Sequence, residues 1–543
     1  MQSRAQPAES CDVLIMGGGL AGLTLALQLR QRFPAMHILV LERRSHPVPE
    51  AAHKVGESTV ELGAHYFAEV LGLRRHFEQR QIKKFGFRFF FSEGRRDIDQ
   101  VTEIGASRLL AVPSYQIDRG IFENFLGEEA QSRGIRFSDA ARVTRLTLAE
   151  GQALHQVEWR RGDEAHHVQA RWVIDACGRA GLIKGKLGLA QPNDHGCHAI
   201  WFRIAERIKI DDWCGDPAWQ NLCTPPERWR STNHLVGAGY WAWLIPLSSG
   251  SHSVGIVADP RHHALETMNS FDKAMDWFKT WQPRLYDALD GQRDKLQDFA
   301  FFKHFSYGCK QVFSGQRWAL TGEAGLFLDP FYSPGSDFIA IANTFITDLI
   351  ARDQAGQAVD AHAGIYDQLY HSFYESTLAM YQDQYALFGE PEVLPVKVIW
   401  DYSYYWGVLS QLFVHQRLTD LRTLSALKDE LARCQHLNVE VQALLRAWGQ
   451  LSAKRNPAQM LDQASLPWFA ELNASLADTL DEAGFRARMR RNAVMLTELA
   501  DEIVERATAL HPALDAAALR AVIGSAPQAA EPRVRRLFET TPA

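Results

Sequence analysis

Val13-Leu14-Ile15-Met16-Gly17-Gly18-Gly19-Leu20-Ala21-Gly22 is the stretch that decides the fold. Its first four residues are apolar on both parities, as a strand buried on both faces requires. Three glycines then form a turn, and a helical pattern runs from about Leu20 to Phe33, stopped near Pro34. A second apolar strand, His37 to Leu41, ends in Glu42. The result is a βαβ unit. In it Gly17-x-Gly19-x-x-Gly22 joins a strand to a helix, and an acid stands twenty residues after Gly22 at the end of the next strand. That context makes the glycines a dinucleotide-binding loop. Gly17 allows the tight turn, Gly19 lets the backbone approach a pyrophosphate, and Gly22 lets the helix pack on the sheet. Ala21 lies in the same loop. The helix N-terminus offers unpaired N–H groups to phosphate charge, and the Glu42 carboxylate can accept from ribose hydroxyls.

Outward from this unit, residues 51–130 mix helices with an aromatic strand, Phe85 to Phe91. Short strands follow to Val173-Ile174-Asp175-Ala176. Period-two stretches rich in aromatic and β-branched residues fill 197–260, so a second, antiparallel sheet is expected there. Trp318 to Thr321 reads as a strand leading through a Gly-rich turn into a helix, about Phe338 to Ala351. From about 365 the chain is helical. Ala493, Leu496, Ala500, Ile503, Ala507 and Leu510 lie three or four apart, the stripe of an amphipathic helix. The last fifteen or so residues, with Pro527, Pro532 and Pro542, read as a loosely docked tail. The expected class is α/β. A discontinuous dinucleotide-binding module covers 10–190 and 300–355, an antiparallel substrate-side sheet 191–299, and a helical domain 356–543.

The composition narrows the function. The 543 residues carry a formal net charge of −6, against the basic face of a nucleic-acid binder. The 15 Trp and 29 Phe suit a protein that walls off a flat apolar ligand. Seven cysteines are scattered without a CxxC pair, so neither a disulfide framework nor a metal site is expected. No apolar run is long enough to span a membrane, and a reducing cytoplasm is the expected compartment.

Two further segments favour FAD over NAD. Val173-Ile174-Asp175-Ala176-Cys177-Gly178-Arg179 and Thr321-Gly322-Glu323-Ala324-Gly325 resemble the second and third flavin-contact segments of the FAD-dependent monooxygenase superfamily. The third usually reads GD and here reads Gly322-Glu323. Tyr115-Gln116-Ile117-Asp118-Arg119 resembles that superfamily's contact strand and helix start. The resemblance implies cofactor contacts at Asp175, Gly322, Glu323 and Arg119.

Trp241-Ala242-Trp243-Leu244-Ile245-Pro246 matches WxWxIP. With the Gly-rich loop it resembles the flavin-dependent halogenases, the group that includes the tryptophan halogenases, over about residues 10–350. Strand alternation puts both indoles on one face. The resemblance implies that Trp241, Trp243 and Pro246 partition the flavin from the organic substrate. Lys54-Val55-Gly56-Glu57-Ser58-Thr59 resembles the family's VGE(S/A)T loop, which implies that Glu57 and Ser58 lie near the flavin. Ile82-Lys83-Lys84-Phe85-Gly86-Phe87 resembles the stretch carrying its catalytic lysine. That role falls on Lys84, with Lys83 the alternative, since alternation lets one of the two face a tunnel.

Leu328-Asp329-Pro330-Phe331-Tyr332-Ser333-Pro334-Gly335-Ser336 resembles the flavin and halide loop, close to NPLESTG in tryptophan halogenases. Asp329 stands where that loop has asparagine and is assigned to the cofactor. Tyr332 replaces the glutamate that assists the lysine, which points to a phenolic, pyrrole or carrier-bound substrate. Pro334 has no N–H, so a halide at Ser333, Pro334 and Gly335 is left with the Gly335 N–H and a Ser333 or Ser336 hydroxyl. The implied activity is FADH2-dependent halogenation of an electron-rich aromatic, phenolic or carrier-tethered, through hypohalous acid guided by Lys84. It consumes O2 and chloride or bromide, and a separate flavin reductase supplies FADH2. An FAD-dependent aromatic hydroxylase without halide chemistry is the alternative, and a non-catalytic flavin-binding partner of a biosynthetic complex is a third.

Overall fold

The computed structural model describes residues 9–50 and 55–524. Lys54 and the proline-bearing tail fall outside the described residues.

The first strand, Glu9–Met16, pairs in parallel with Ile38–Leu41 on one side and Glu164–Asp175 on the other. Arg136–Ser138 and Trp318–Leu320 extend the parallel set outward. Val13 to Met16 and Ile38 to Leu41 are buried, which is why both segments are apolar on both parities. All these strands end at one edge of the sheet. The helix Leu20–Arg32 starts there with Gly19 at its N-cap, and a long helix, Gly335–Gln354, starts beside it. Open α/β sheets bind ligands at such an edge.

The second sheet is larger than 191–299 and is mixed rather than wholly antiparallel. Its order is Leu296–Phe302, His198–Ile204, His252–Ala258, Tyr240–Pro246, Thr232–Gly237, Phe87–Phe90, Thr102–Gly105 and Gln459–Asp462. Phe87–Phe90 joins Thr232–Gly237 in parallel, and Gln459–Asp462 joins Thr102–Gly105 in parallel. Chain-distant segments thus complete it, and a single window of sequence does not show such pairing. Alternation divides Tyr240–Pro246 between two cores. Trp241, Trp243 and Ile245 face the main core, while Tyr240, Ala242 and Leu244 face an apolar cluster built on the helix Phe271–Trp281.

Beyond Gly335–Gln354 the chain is mostly helical, with Asp360–Leu378, Leu394–Tyr404, Lys428–Gly449 and Glu482–Leu510 the main elements. In the last, the stripe from Ala493 to Ala507 is buried, but Leu510 is 50% exposed. It is the helix's final residue and has run past the core. The seven cysteines are free. Among the described residues no helix is long and apolar enough to cross a membrane, and no cluster of His, Cys, Asp or Glu could hold a metal ion.

Candidate functional site

A cavity of about 770 Å³ opens along the sheet edge. At one end it is walled by Gly17, Gly19, Ala21, Glu42, Arg43 and Arg44. Its middle carries Glu57, Ser58, Arg119, Gly322 and Glu323, and its far end Trp241, Trp243, Asp329, Ser333, Pro334 and Gly335. Candidates hundreds of residues apart in sequence therefore share one wall. Gly22, Asp175, Pro246 and Lys84 do not line it.

Each exception has a physical reason. Gly22 works behind the wall: a Cβ there would sit 1.9 Å from the Gly17 carbonyl oxygen. Gly17 itself has φ +113°, and its Cβ would meet the Ala176 oxygen at 2.2 Å. Asp175 is fully buried, and its carboxylate accepts from the N–H groups of Cys177 (3.0 Å) and Ile183 (2.7 Å). It shapes the turn whose next residues, Ala176 to Ala180, do the lining. Pro246 ends its strand beyond the indoles.

The cavity fits FAD on its own geometry. Nothing lies nearer than 4.0 Å to a Cβ built on Gly19, so the loop backbone is open to a close ligand. The unpaired N–H groups of the helix Leu20–Arg32 begin at that point. Glu42 is held by the N–H groups of Gly18 and Arg44, both at 2.7 Å. Two N-terminal helix ends and five arginines (Arg43, Arg44, Arg119, Arg142 and Arg179) around one elongated cavity suit a ligand with a diphosphate. Gly22→Ala forces the helix off the loop. It is expected to weaken FAD binding by about 100-fold, or ~2.7 kcal/mol, read by flavin fluorescence titration of the purified protein.

Glu57 is buried against Arg203, accepting from Nε at 2.8 Å and Nη2 at 2.7 Å. Burial pushes its carboxyl up, and Arg203 opposes that. Arg119 donates to the Val55 carbonyl and pairs with Glu123 at 2.6 Å. Burial brings its guanidinium down to about 10. Glu123 also lines the cavity, and its place one helical turn after Arg119 was the signal for it. Asp329 is buried and bonded to His195 (2.6 Å) and to the Tyr385 hydroxyl (2.5 Å), which in turn accepts from Trp241 Nε1 at 3.1 Å. The indole of Trp243 lies 5.6 Å from that of Trp241. Ser333 takes a left-handed φ of +53°, which lets the loop swing into the helix starting at Gly335. The Ser336 hydroxyl is buried on the cavity wall, without a hydrogen-bond partner among the described residues.

Lys83 is exposed, whereas Lys84 is 3% exposed. The Lys84 ammonium donates to Ser58 Oγ (2.9 Å) and the Thr59 carbonyl (3.1 Å), and lies 3.3 Å from the centre of the Phe87 ring. Burial drives its pKa well below that of a free lysine, against the opposing charges of Glu61 and Asp337. Burial also raises Glu61, and it carries Asp337 to about 8. Asp337 is held by the Gly63 N–H and the Tyr405 hydroxyl, both at 2.8 Å.

A second, smaller cavity of about 40 Å³ lies on the far side. Phe87, Asp337, Met380, Asp401 and the tyrosines 332, 381, 402, 404 and 405 line it. Trp406, the residue after Tyr405, is buried instead and donates to Glu61. Pro334 and Phe338 wall both cavities, while the two tryptophans face only the larger. Glu61, Asp337, Lys397 and Asp401 escaped the sequence reading. Lys397 and Asp401, four apart within the apolar Leu394–Tyr404 segment, were the one legible signal among them.

An FAD domain model, described as "FAD binding domain", matches residues 10–275. Among curated relatives, the flavin-dependent halogenase chlA of Dictyostelium discoideum is 24% identical, over 74% of this chain and 70% of its own. The 1H-pyrrole-2-carbonyl-(peptidyl-carrier protein) chlorinase of Pseudomonas fluorescens is 26% identical, over 60% of this chain and 72% of its own. Among solved structures, halogenase PltM in complex with phloroglucinol and FAD shares the fold at TM-score 0.62 and 15% identity, covering 91% of this chain and 96% of its own. A fingerprint loop, a phosphate-ready cavity and these matches define an FAD-dependent oxidoreductase. Within that class the chain is similar to the flavin-dependent halogenases.

Proposed function

We propose that this protein halogenates an electron-rich aromatic, phenolic or carrier-tethered, using FADH2 from a separate reductase, O2 and chloride or bromide. The observation that carries the reading is the position of Lys84. It is one hydrogen bond from the flavin cavity, through Ser58, and its ammonium rests on Phe87, a wall of the second cavity. Bound reduced FAD would supply hypohalous acid from O2 and halide. Gly335 N–H and the hydroxyls of Ser333 and Ser336, at the start of a twenty-residue helix, are the groups on hand for the halide.

Lys84 serves where its amine is neutral. The nitrogen lone pair then takes the halogen, N–X forms as O–X breaks, and the displaced hydroxide leaves with the amine proton as water. Burial favours that neutral form. At about 40 Å³ the second cavity has room for little more than a water molecule, so a phenol would enter by displacing part of its aromatic wall. Asp401 stands at its wall, where Tyr332 and Tyr381 are also buried. The hydroxylase reading needs the organic substrate against the flavin. The walls of Pro334 and Phe338 favour separation instead.

The test is a reductase-coupled incubation with bromide and a panel of phenols, read by mass spectrometry. Products that gain bromine are expected. Products that gain only oxygen would overturn the proposal in favour of the hydroxylase.

A further inference from the structure

Arg142 and Arg160 stand directly opposite each other in the antiparallel pair Ala141–Thr147 and His155–Arg161. Cross-strand partners hold their Cβ atoms about 5 Å apart, and like charges in that relation repel. Both residues are exposed, and neither forms an ion pair among the described residues. Their neighbours are matched. Arg145 lies 3.6 Å from Glu158, and Arg161 2.6 Å from Asp139. A neutral polar residue at either position would remove the repulsion. Two cations on one solvent face point instead to an anion that meets this face from solution.

The pair leads into the flavin cavity. Arg142 lines that cavity and Arg160 does not, so the two mark a step from solvent to wall. Backbone bonds tie this strand to the end of Ile38–Leu41. The Ala141 N–H donates to the Glu42 carbonyl (2.7 Å), and the Ala140 N–H to that of Arg44 (3.0 Å). Arg43 and Arg44 line the same end of the cavity and are exposed. Deeper in the wall the charges are matched. Glu57, Glu123 and Glu323 pair with Arg203, Arg119 and Arg179, and Asp329 bonds His195. Glu42 accepts from the N–H groups of Gly18 and Arg44. Arg43, Arg44, Arg142 and Arg160 therefore give the open end an excess of positive charge. A diphosphate matches it, and FAD carries one. Charge at the rim of a cleft raises the arrival rate of an oppositely charged ligand, and salt abolishes the gain.

On the reading above, in which a separate reductase releases FADH2, we propose that the Arg142–Arg160 pair draws the flavin's diphosphate from solution to the open end of the cavity. Arg160 acts on arrival, and Arg142 passes the anion to the wall. The test is stopped-flow binding of FAD to the flavin-free full chain, followed by flavin fluorescence at several salt concentrations. Native protein is compared with Arg160→Gln, Arg160→Glu and Lys428→Glu. Oxidised FAD carries the same diphosphate, so neither turnover nor reductase is needed. At about 10 mM ionic strength, where charges act over about 30 Å, Arg160→Glu is expected to slow association about tenfold and Arg160→Gln about threefold. At about 1 M, where that range falls to about 3 Å, both should come within about twofold of native. Dissociation should stay within about twofold of native throughout, because Arg160 lies off the wall. Lys428→Glu makes the same charge reversal at an exposed position in the helical region and should bind at the native rate. The urea midpoint of Arg160→Gln should equal or exceed that of native protein, since a repulsion is removed.

Native association of Arg160→Glu at low salt overturns the proposal. So does a deficit that persists at about 1 M, or one that Lys428→Glu shares, which would reduce the effect to net charge. Faster dissociation or a lower urea midpoint in Arg160→Gln also overturns it, by making Arg160 a bound-state or structural contact. Failure to brominate phenols is read in the separate turnover assay. It removes the halogenase reading without altering these rates.

Discussion

Lys84→Met is expected to lower halogenated product by at least about 100-fold while free oxidised halogen is still released. Methionine matches the lysine stem in volume, so the space Lys84 occupies beside Ser58 and Phe87 stays filled. The loss is therefore of the amine alone. Removing a buried cation usually leaves its counter-charges stranded. Here the two nearby carboxyls already favour protonation, Glu61 by burial and Asp337 with its pKa at about 8. Asp337 can become neutral near pH 7, burial pushes Glu61 in the same direction, and both keep their hydrogen bonds from Trp406, Gly63 and Tyr405. The fold and FAD binding should survive. Lys84→Arg should fail likewise, because a guanidinium stays charged and offers no lone pair. In the native protein, product per oxidised halide should rise with pH as the amine sheds its proton. The rise should come below the range of a free lysine, because burial depresses Lys84. Lys84→Met should abolish that rise. The measurement is a reductase-coupled assay with product and trapped oxidant quantified together. Native product yield per oxidised halide in Lys84→Met would show that the amine has no part in the transfer.

The parts of this molecule that were legible in advance obey short-range rules. Gly17, Gly19 and Gly22 must stand at fixed offsets because their backbones collide otherwise, so ten residues sufficed to place the first strand and helix. Trp241 and Trp243 share a face because strand parity demands it. Parity also separated Lys83 from Lys84 but could not say which was inside. Burial under Phe87 and Ser58 decides that, and it depends on a strand pair and a loop distant in sequence. Asp175 shows the opposite failure. An acid at a strand end resembles a cofactor ligand, yet the same carboxylate serves as well to cap its own turn. His234, Asp337 and Asp401 reach the site from three unrelated elements, and no spacing rule connects them. The parallel addition of Gln459–Asp462 to the second sheet was hidden for the same reason.

Asp401→Asn is expected to cost about 3–5 kcal/mol of stability, because it strands a buried lysine. Lys397 and Asp401 are fully buried one helical turn apart, 2.7 Å from nitrogen to oxygen. The carboxylate also accepts from the Tyr332 hydroxyl at 2.7 Å and from Gln442 Nε2 at 2.6 Å, and Lys397 donates to the Gln442 oxygen at 2.7 Å. The Tyr332 hydroxyl and both ends of the Gln442 amide bond this ion pair, so the neutral amide removes the one anion among them. Burial already lowers the Lys397 pKa, and Asp401 is what opposes that. Without the carboxylate the lysine is driven toward its neutral form. Its folded pKa then lies further below its unfolded value, and the unfolded chain binds the extra proton. Stability of the variant should rise with pH from the depressed value toward about 10, so its deficit should narrow as the solution is made alkaline. Urea midpoints at several pH values check both the size and the slope. The double variant Lys397→Met, Asp401→Leu removes both charges at near-constant volume and should recover most of the loss. If the double variant is no more stable than Asp401→Asn, the loss comes from packing around Tyr332 and Gln442 and not from a stranded charge.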